Sequence, residues 1–139
     1  MADLNRNWAT SGWIRGVKGS GTYGGPKPGS EPETKAVRKF LKKHKPDFIA
    51  SIHQPLNGIG KSGKDVAFER RLAYHLGLQR KTFSVSQGKG VSPTMTGWYN
   101  RYFGNSGTAI TIEYSRKPSE YFVTKKAGKG ILRAGLVRD

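Results

Sequence analysis

Phe48-Ile49-Ala50-Ser51-Ile52-His53 is the stretch that decides the fold, a nearly continuous apolar run that ends in one histidine. A short apolar run without alternation predicts a β-strand that is covered on both faces, and therefore a central strand. A second run of this kind is Thr108-Ala109-Ile110-Thr111-Ile112-Glu113, and residues 109–114, which are apolar and β-branched, are predicted as another central strand. Two buried strands, each ending in a polar side chain, are the first prediction.

Helical patterns stand on both sides of the first run. Before it, Ser30-Glu31-Pro32-Glu33 has the form of a capping box with proline in the first turn, and predicts a helix to about His44, stopped by Pro46. After it, residues 58–63 are predicted as a loop and residues 65–76 as a second helix. The apolar positions of the two helices are Ala36, Val37, Phe40 and Leu41 in the first and Phe68, Leu72 and Leu76 in the second.

Less regular segments fill the rest of the chain. Residues 12–29 are rich in Gly, Lys and Pro without periodicity and predict a surface loop, as do residues 88–93. Residues 81–85 are a candidate strand, and residues 95–103 a short aromatic helix. Pro118 opens a final helix to about Lys126, followed by a loose tail or a short strand. Helices that alternate with buried strands predict one α/β domain over residues 1–139.

Composition limits the chemistry. The chain has no cysteine, so any metal must be held by His, Asp or Glu, and a cysteine nucleophile is excluded. No apolar run is long enough to span a bilayer and no signal peptide is visible, so we expect a cytoplasmic location by default.

The charge balance is strongly basic. The net charge of +16 would attract nucleic acid, anionic membrane, cell-wall polymer or a carboxylate-rich substrate. The basic residues are spread along the chain, which indicates a solvated surface more than one binding face. Trp98-Tyr99-Asn100-Arg101-Tyr102-Phe103 interleaves aromatic rings with a cation, as surfaces for single-stranded nucleic acid do. A helix that packs these rings into the core is the favoured alternative, because Gly97 and Gly104 bound it as an ordinary element.

Several motifs together resemble a known family. In chain order they are Asp3-Leu4-Asn5-Arg6-Asn7-Trp8, Gly24-Gly25-Pro26, Ser30-Glu31-Pro32-Glu33-Thr34, Ser51-Ile52-His53 and Thr111-Ile112-Glu113. Their order and spacing resemble the zinc metallocarboxypeptidases related to carboxypeptidase A. The second and third motifs look most like the bacterial murein peptide amidase branch, which cleaves the bond between γ-D-glutamate and diaminopimelate. The resemblance covers nearly all of this chain but only the later half of the family's domain. It implies a metallocarboxypeptidase-like fold, a mixed, largely parallel sheet with helices on both faces, without the N-terminal strands.

The resemblance implies roles for four residues. Asn5 and Arg6 match the pair that binds the terminal carboxylate of the substrate, and a guanidinium can form a bidentate hydrogen bond with a carboxylate. The structural alternative for Arg6 is an ion pair with Asp3. His53 matches the third zinc ligand, and its alternative is a buried histidine bonded to backbone. Glu113 matches the general base that takes a proton from zinc-bound water, and its alternative is an ion pair with a lysine.

The resemblance also implies groups that this chain does not contain. The family takes its other two zinc ligands from a His-x-x-Glu motif upstream of the hexapeptide, and neither His44 nor His75 has Glu three residues later. The family's upstream oxyanion arginine is absent, and its downstream tyrosine has no match. We therefore expect zinc to bind weakly or not at all to this chain alone, and the chain alone to be inactive. A fragment, a split subunit and a natural truncation all remain open as explanations.

The implied partners follow from the same resemblance. The substrate would be a peptide or peptidoglycan-derived compound with a free carboxylate. If the early strands are absent, the strand that carries His53 should have exposed apolar edges, so we expect a complementing N-terminal chain or a second copy to cover them. The competing function is non-catalytic binding of a cell-wall or nucleic-acid polyanion on a truncated peptidase fold.

Overall fold

The structure of the chain is a computed structural model, which describes residues 1–83, 89–103 and 105–136. The chain divides into two compact units: residues 1–47 with 84–108, and residues 48–83 with 109–139. We describe each unit by itself. Among the described residues, no helix combines the length and the apolar character that crossing a bilayer requires.

The first unit contains a 3₁₀ turn and the helix α1. The turn spans Leu4–Arg6, and α1 spans Pro32–His44, as the sequence predicts. The capping box, however, is not formed. Glu31 occupies the N-cap position without a side-chain capping bond, and the Ser30 hydroxyl instead donates to the Glu31 carboxylate at 2.6 Å. Proline at the first helical position, which needs no amide donor there, favours the start of the helix.

The predicted apolar face of α1 is only partly buried. Leu41 is 5% exposed, but Val37 is 44% and Phe40 57% exposed within this chain. Of the four apolar positions that were predicted to share a face, only Leu41 is buried, and Ala36 is exposed as well. Periodicity defines which side chains share a face, but whether that face is covered depends on neighbouring structure.

The helix α3, Met95–Tyr102, supplies the aromatic core of the first unit. Trp98 is 3% exposed and Tyr99 is fully buried, and the ring centroid of Trp98 lies 5.1 Å from that of Trp8. The prediction that this segment packs its rings into the core is thus confirmed for Trp98 and Tyr99, but not for Tyr102, which is 61% exposed. Gly104, its predicted end, lies outside the described residues.

The second unit contains a four-stranded sheet within the described part of the chain. Its strands are β1, Phe48–His53; β2, Leu56–Gly60; β3, Arg80–Lys81; and β4, Thr108–Ser115. Their order is β1-β4-β2-β3. β2 runs parallel to β3 and antiparallel to β4, so the sheet is mixed. The predicted α/β class with a mixed sheet is confirmed.

Three strands differ from the prediction. β4 is central and buried, as expected, but β1 is an edge strand of the described sheet, and its Ile52 is 52% exposed. β2 was predicted as loop from residue 58 onward, because Asn and Gly are typical of turns. Pairing with strands on both sides outweighs that local preference, and Ile59 at its centre is fully buried. Of the candidate strand over residues 81–85, only Lys81 belongs to β3; residues 82 and 83 are not in a strand, and residues 84 and 85 lie outside the described residues.

The helix α2, Val66–Leu76, packs on this sheet and confirms its prediction in detail. The Asp65 carboxylate caps it by accepting a hydrogen bond from the Phe68 amide at 2.8 Å. Gly77 ends it in the left-handed conformation, φ 68°, which glycine adopts without strain. The core of the unit consists of Phe68, Leu72, Leu76, Ile59, Ile110, Ile112 and Ala134.

The C-terminal segment is helical, so the prediction of a loose tail or short strand is wrong. A π-helical segment, Phe122–Ala127, leads directly into α4, Gly128–Leu136. Gly130 and Ala134 are buried, and a Cβ at Gly130 would lie 3.0 Å from the Leu76 side chain. Small residues therefore let α4 approach α2 closely, and this tertiary contact extends the helix beyond its local signal. Residues 137–139 lie outside the described part.

Candidate functional site

The hexapeptide residues Asn5 and Arg6 lie on the 3₁₀ turn of the first unit. Asp3 caps this turn, because its carboxylate accepts a hydrogen bond from the Asn5 amide at 2.9 Å. The Asn5 side-chain oxygen accepts a long hydrogen bond of 3.4 Å from the Met95 amide. These contacts hold Asn5 and Arg6 side by side on a short, well-anchored turn.

The Arg6 guanidinium is mostly enclosed but only partly bonded. Its side chain is 16% exposed, and Nη1 donates to the Asn5 carbonyl oxygen at 2.8 Å. The nearest carboxylate oxygen of Asp3 is 4.0 Å from Nη1, the outer limit of an ion pair. Nε is buried and has no hydrogen-bond partner among the residues that the structure describes. The alternative role of Arg6 was an ion pair with Asp3 that holds the loop, and at this distance such an ion pair is weak.

Asn7 is a residue whose role the sequence did not reveal. Its side chain is fully buried. Nδ2 donates to the Gly24 carbonyl at 2.7 Å, to the Lys27 carbonyl at 3.2 Å and to the Ser30 hydroxyl at 3.0 Å. This side chain joins the hexapeptide to the two motifs that follow it. A buried amide in a short polar motif was the available signal, because such a group must find several partners.

His53 is the last residue of β1, in the second unit. Its Nε2 lies 2.9 Å from the Ser51 hydroxyl oxygen, and the two residues share a face because they are two positions apart on a strand. Which atom donates depends on the tautomer of the ring. The contact orients the imidazole, and the ring is half-buried.

Glu113 lies on β4, the neighbouring strand to β1. It is 7% exposed, and Oε2 accepts a hydrogen bond from the Leu56 amide at 3.2 Å. Across the sheet its backbone is registered with Gly58 of β2. No lysine or arginine of residues 1–83, 89–103 and 105–136 forms an ion pair with it, so the alternative of a strand-end ion pair has no support in this part. The sheet thus brings His53 and Glu113 onto adjacent strands, while Asn5 and Arg6 belong to the other unit.

The described donor set does not by itself fit a zinc ion. A structural or catalytic zinc site uses at least three protein ligands. Among the described residues, no group of three or more His, Asp or Glu side chains is placed to hold a metal ion. His53 supplies one imidazole, and a single imidazole cannot hold zinc at useful affinity.

Part of the chain is similar to a known enzyme family. Residues 2–60, which include the hexapeptide, β1 and β2, match the zinc carboxypeptidase family, peptidase M14. Over these residues the chain is therefore similar to the zinc carboxypeptidases, a family of zinc-dependent enzymes.

Two individual proteins show the extent of this likeness. Carboxypeptidase A6 of Mus musculus is 48% identical over 46 residues, which are 31% of this chain and 10% of that protein. The crystal structure of murein-tripeptide amidase MpaA from Escherichia coli O157 superposes with a TM-score of 0.78 and 22% identity, over 99% of this chain and 60% of that one. The chain has a metallocarboxypeptidase-like, murein peptide amidase-like fold. It spans 60% of the length of MpaA and a tenth of carboxypeptidase A6.

Proposed function

We propose that this chain supplies substrate-binding and catalytic groups to a zinc-dependent hydrolase of the metallocarboxypeptidase or peptidoglycan peptide amidase type. The reaction would be hydrolysis of an amide bond at the carboxyl-terminal end of a cell-wall peptide. The family match and the fold likeness support this class. The single observation that carries it is the enclosed Arg6 guanidinium, which keeps an unbonded Nε–H beside Asn5.

The proposed role of Arg6 and Asn5 is to bind the terminal carboxylate. A buried donor without a partner costs about 1–3 kcal/mol. A carboxylate that accepted a hydrogen bond from Arg6 Nε would remove this penalty and gain a charge-assisted bond. The Asn5 amide would add a neutral donor to the same ligand. Because Arg6 is already held by the Asn5 carbonyl, little side-chain entropy would be lost on binding.

The proposed role of Glu113 is general base. One of its oxygens is engaged with the Leu56 amide, which fixes the carboxylate, and the other can accept a proton from a water molecule. The same group would then pass the proton to the leaving amine. For His53 we propose a role as one zinc ligand in a complete site. The further ligands would have to come from other polypeptide, and we propose that this chain alone is inactive.

A binding experiment tests the carboxylate role without requiring turnover. A murein-derived peptide with a free carboxyl terminus is titrated into the 139-residue chain by calorimetry, beside the same peptide amidated at that terminus. We expect the free acid to bind about tenfold tighter or more, and Arg6→Gln to abolish the difference. Arg15→Gln, at an exposed loop position of the same unit, is the matched control. Equal binding of acid and amide by the unaltered chain would refute the assignment.

Metal analysis tests the role of His53. We expect weak zinc binding by the unaltered chain and a further loss in His53→Ala, measured by competition with a chelating dye. His44→Ala, on the exposed part of α1, is the control. Tight stoichiometric zinc on the isolated monomer would contradict the view that further ligands are needed. If a complementing polypeptide restores hydrolysis, Glu113→Gln should abolish it while zinc is retained.

Non-catalytic binding of cell-wall polymer is a second candidate, favoured by the net charge of +16. Murein peptides carry carboxylates and wall polymers carry phosphates, so a basic chain can retain both. Sedimentation with purified peptidoglycan measures this binding. Loss of retention in Arg6→Ala would assign it to the carboxylate pocket, whereas unchanged retention would assign it to general surface charge.

A further inference from the structure

A strongly basic groove lies in the second unit, where α4 and the π-helical segment pack beside α2. Its volume is about 670 Å³. The lining side chains that matter are four cations and two rings: Lys125, Lys126, Lys129, Arg133, His75 and Tyr121. His53 and Glu113 are not among the lining residues, so the groove is not part of the site proposed above.

The positive charge of this groove is not neutralised within the described residues. None of its four cations has a carboxylate partner in residues 1–83, 89–103 and 105–136. Lys126 has a local structural role, because its Nζ would lie 2.7 Å from a Cβ at Gly77, beside the C-terminal end of α2. A cation at a helix C-terminus is stabilised by the helix dipole. The other three cations have no such partner, and their mutual repulsion favours an anionic ligand.

The spacing of these three cations is regular. Lys125, Lys129 and Arg133 follow one another at intervals of four residues on one continuous helical segment. On α4, Lys129 and Arg133 therefore share a face and are separated by about 6 Å along the axis, and Lys125 precedes them in the π-helical segment. A row of cations with a short regular repeat fits a polymer of phosphates better than a single small anion.

One exposed aromatic ring lines the groove, and a second contacts one of its lining residues. Tyr121 lines the groove and is 70% exposed. Tyr74 is 83% exposed, and its ring centroid lies 5.2 Å from that of the lining residue His75. Exposed aromatic rings beside a cationic track are the combination that binds single-stranded nucleic acid, because bases stack on the rings while phosphates contact the cations. Wall polymers and lipid headgroups offer phosphates without flat bases.

We propose that this groove binds single-stranded nucleic acid, with Lys125, Lys129 and Arg133 on consecutive phosphates and Tyr74 and Tyr121 as stacking surfaces. The inference is independent of the hydrolase proposal. It also differs from the aromatic segment that the sequence suggested, since Trp98 and Tyr99 are buried in the first unit.

Fluorescence anisotropy with a labelled oligothymidylate or oligouridylate of about twelve nucleotides tests the proposal. The unaltered chain should show a log–log salt slope of about −2, from three cations at about −0.7 each. The triple variant Lys125→Gln, Lys129→Gln, Arg133→Gln should remove most of this slope and weaken binding by roughly tenfold to a hundredfold at about 0.1 M salt. Lys39→Gln, Lys42→Gln, Lys43→Gln on α1 removes the same charge elsewhere and should retain most of the affinity. Thermal melting of both variants checks that they remain folded.

A second variant and a second ligand separate nucleic acid from other polyanions. Tyr74→Ala with Tyr121→Ala changes no charge and should weaken oligonucleotide binding by about tenfold or more. Binding of inorganic polyphosphate should be unaffected by this change. Equal weakening by the two triple variants would overturn the proposal. So would tighter binding to vesicles of equal parts phosphatidylglycerol and phosphatidylcholine than to the oligonucleotide.

Discussion

The side-chain oxygen of Asn7 accepts a hydrogen bond from the Glu31 amide at 3.1 Å, although 24 residues separate the two along the chain. The same side chain donates to the Gly24 carbonyl at 2.7 Å. Three motifs of the sequence, the hexapeptide, the Gly-Gly-Pro stretch and the start of α1, are therefore joined through one buried amide. Their common occurrence has a structural reason that is separate from substrate binding.

Replacement of Asn7 by Asp should destabilise the chain strongly. The change keeps the side-chain shape but replaces a donor to the Gly24 and Lys27 carbonyls by an acceptor, so a buried carboxylate would face carbonyl oxygens. We expect a loss of about 3 kcal/mol or more in the free energy of unfolding. Urea denaturation measures it. Asn105→Asp, at an exposed position, is the control, and similar losses in the two variants would show that Asn7 is no special anchor.

Gly25 lies in the same region, and its replacement by alanine should also destabilise the chain. Its φ is +88°, and a Cβ there would lie 2.6 Å from Asn7 Nδ2 and 2.5 Å from the Ser30 hydroxyl oxygen. Gly25→Ala therefore combines backbone strain with a steric clash, and should cost about 2–4 kcal/mol in unfolding free energy. Gly21→Ala is a matched control, because nothing lies within 4 Å of its Cβ position. If Gly25→Ala melts at the same temperature as Gly21→Ala, the close approach is not required.

Sequence patterns correctly predicted the elements whose ends are marked by capping residues close to them in the chain. α2 was found with both ends because Asp65 and Gly77 act within one turn of it. β1 was placed correctly along the chain but was assigned to the centre of the sheet. Apolar composition shows that a strand can be covered, whereas its position in the sheet is decided by pairing between distant segments. β2 and α4 were missed or misassigned for the same reason, since their stability comes from neighbouring strands and from α2.

The sequence predicted which residues belong to the candidate site, but not how they are arranged in the structure. The resemblance identified Asn5, Arg6, His53 and Glu113, and their roles remain proposals. The structure adds what surrounds them: the unbonded Nε of Arg6 and the placement of β1 beside β4. Neither follows from spacing in the sequence, because each depends on the conformation of groups far apart in the chain.

Glu69 should make the stability of the chain sensitive to acid. Burial raises the pKa of this carboxyl, but hydrogen bonds from Arg80, Ser62 and Gly63 outweigh that effect and lower the pKa below its ordinary value. Arg80 Nε donates to Glu69 Oε2 at 3.0 Å, and the carboxylate is fully buried. The unfolded chain therefore binds the proton more readily, so stability rises with pH between the lowered pKa and the ordinary value of 4.5.

The corresponding variant is Glu69→Gln. It should be less stable by about 2–4 kcal/mol at neutral pH, because Arg80 is left without its carboxylate, and it should lose less stability than the unaltered chain as the pH falls below about 4. Thermal melting from about pH 2.5 to about pH 7 measures both effects. Glu120→Gln, at an exposed position, serves as the comparison. Parallel pH profiles for the unaltered chain and Glu69→Gln would exclude Glu69 as a source of the acid sensitivity.

The exposed edge of β1 predicts self-association, or association with a complementing chain. β1 ends the described sheet, and the exposed Ile52 adds apolar surface to the unpaired backbone groups of an edge strand. We expect the unaltered chain to show a concentration-dependent increase in sedimentation coefficient, and Ile52→Lys to remove it, because lysine on an edge opposes strand pairing. Val17→Lys, at a loop position of the first unit that is 76% exposed, adds the same charge away from the sheet and should leave association unchanged. A monodisperse monomer up to about 0.1 mM would contradict the prediction, since specific interfaces with micromolar dissociation constants would be populated at that concentration.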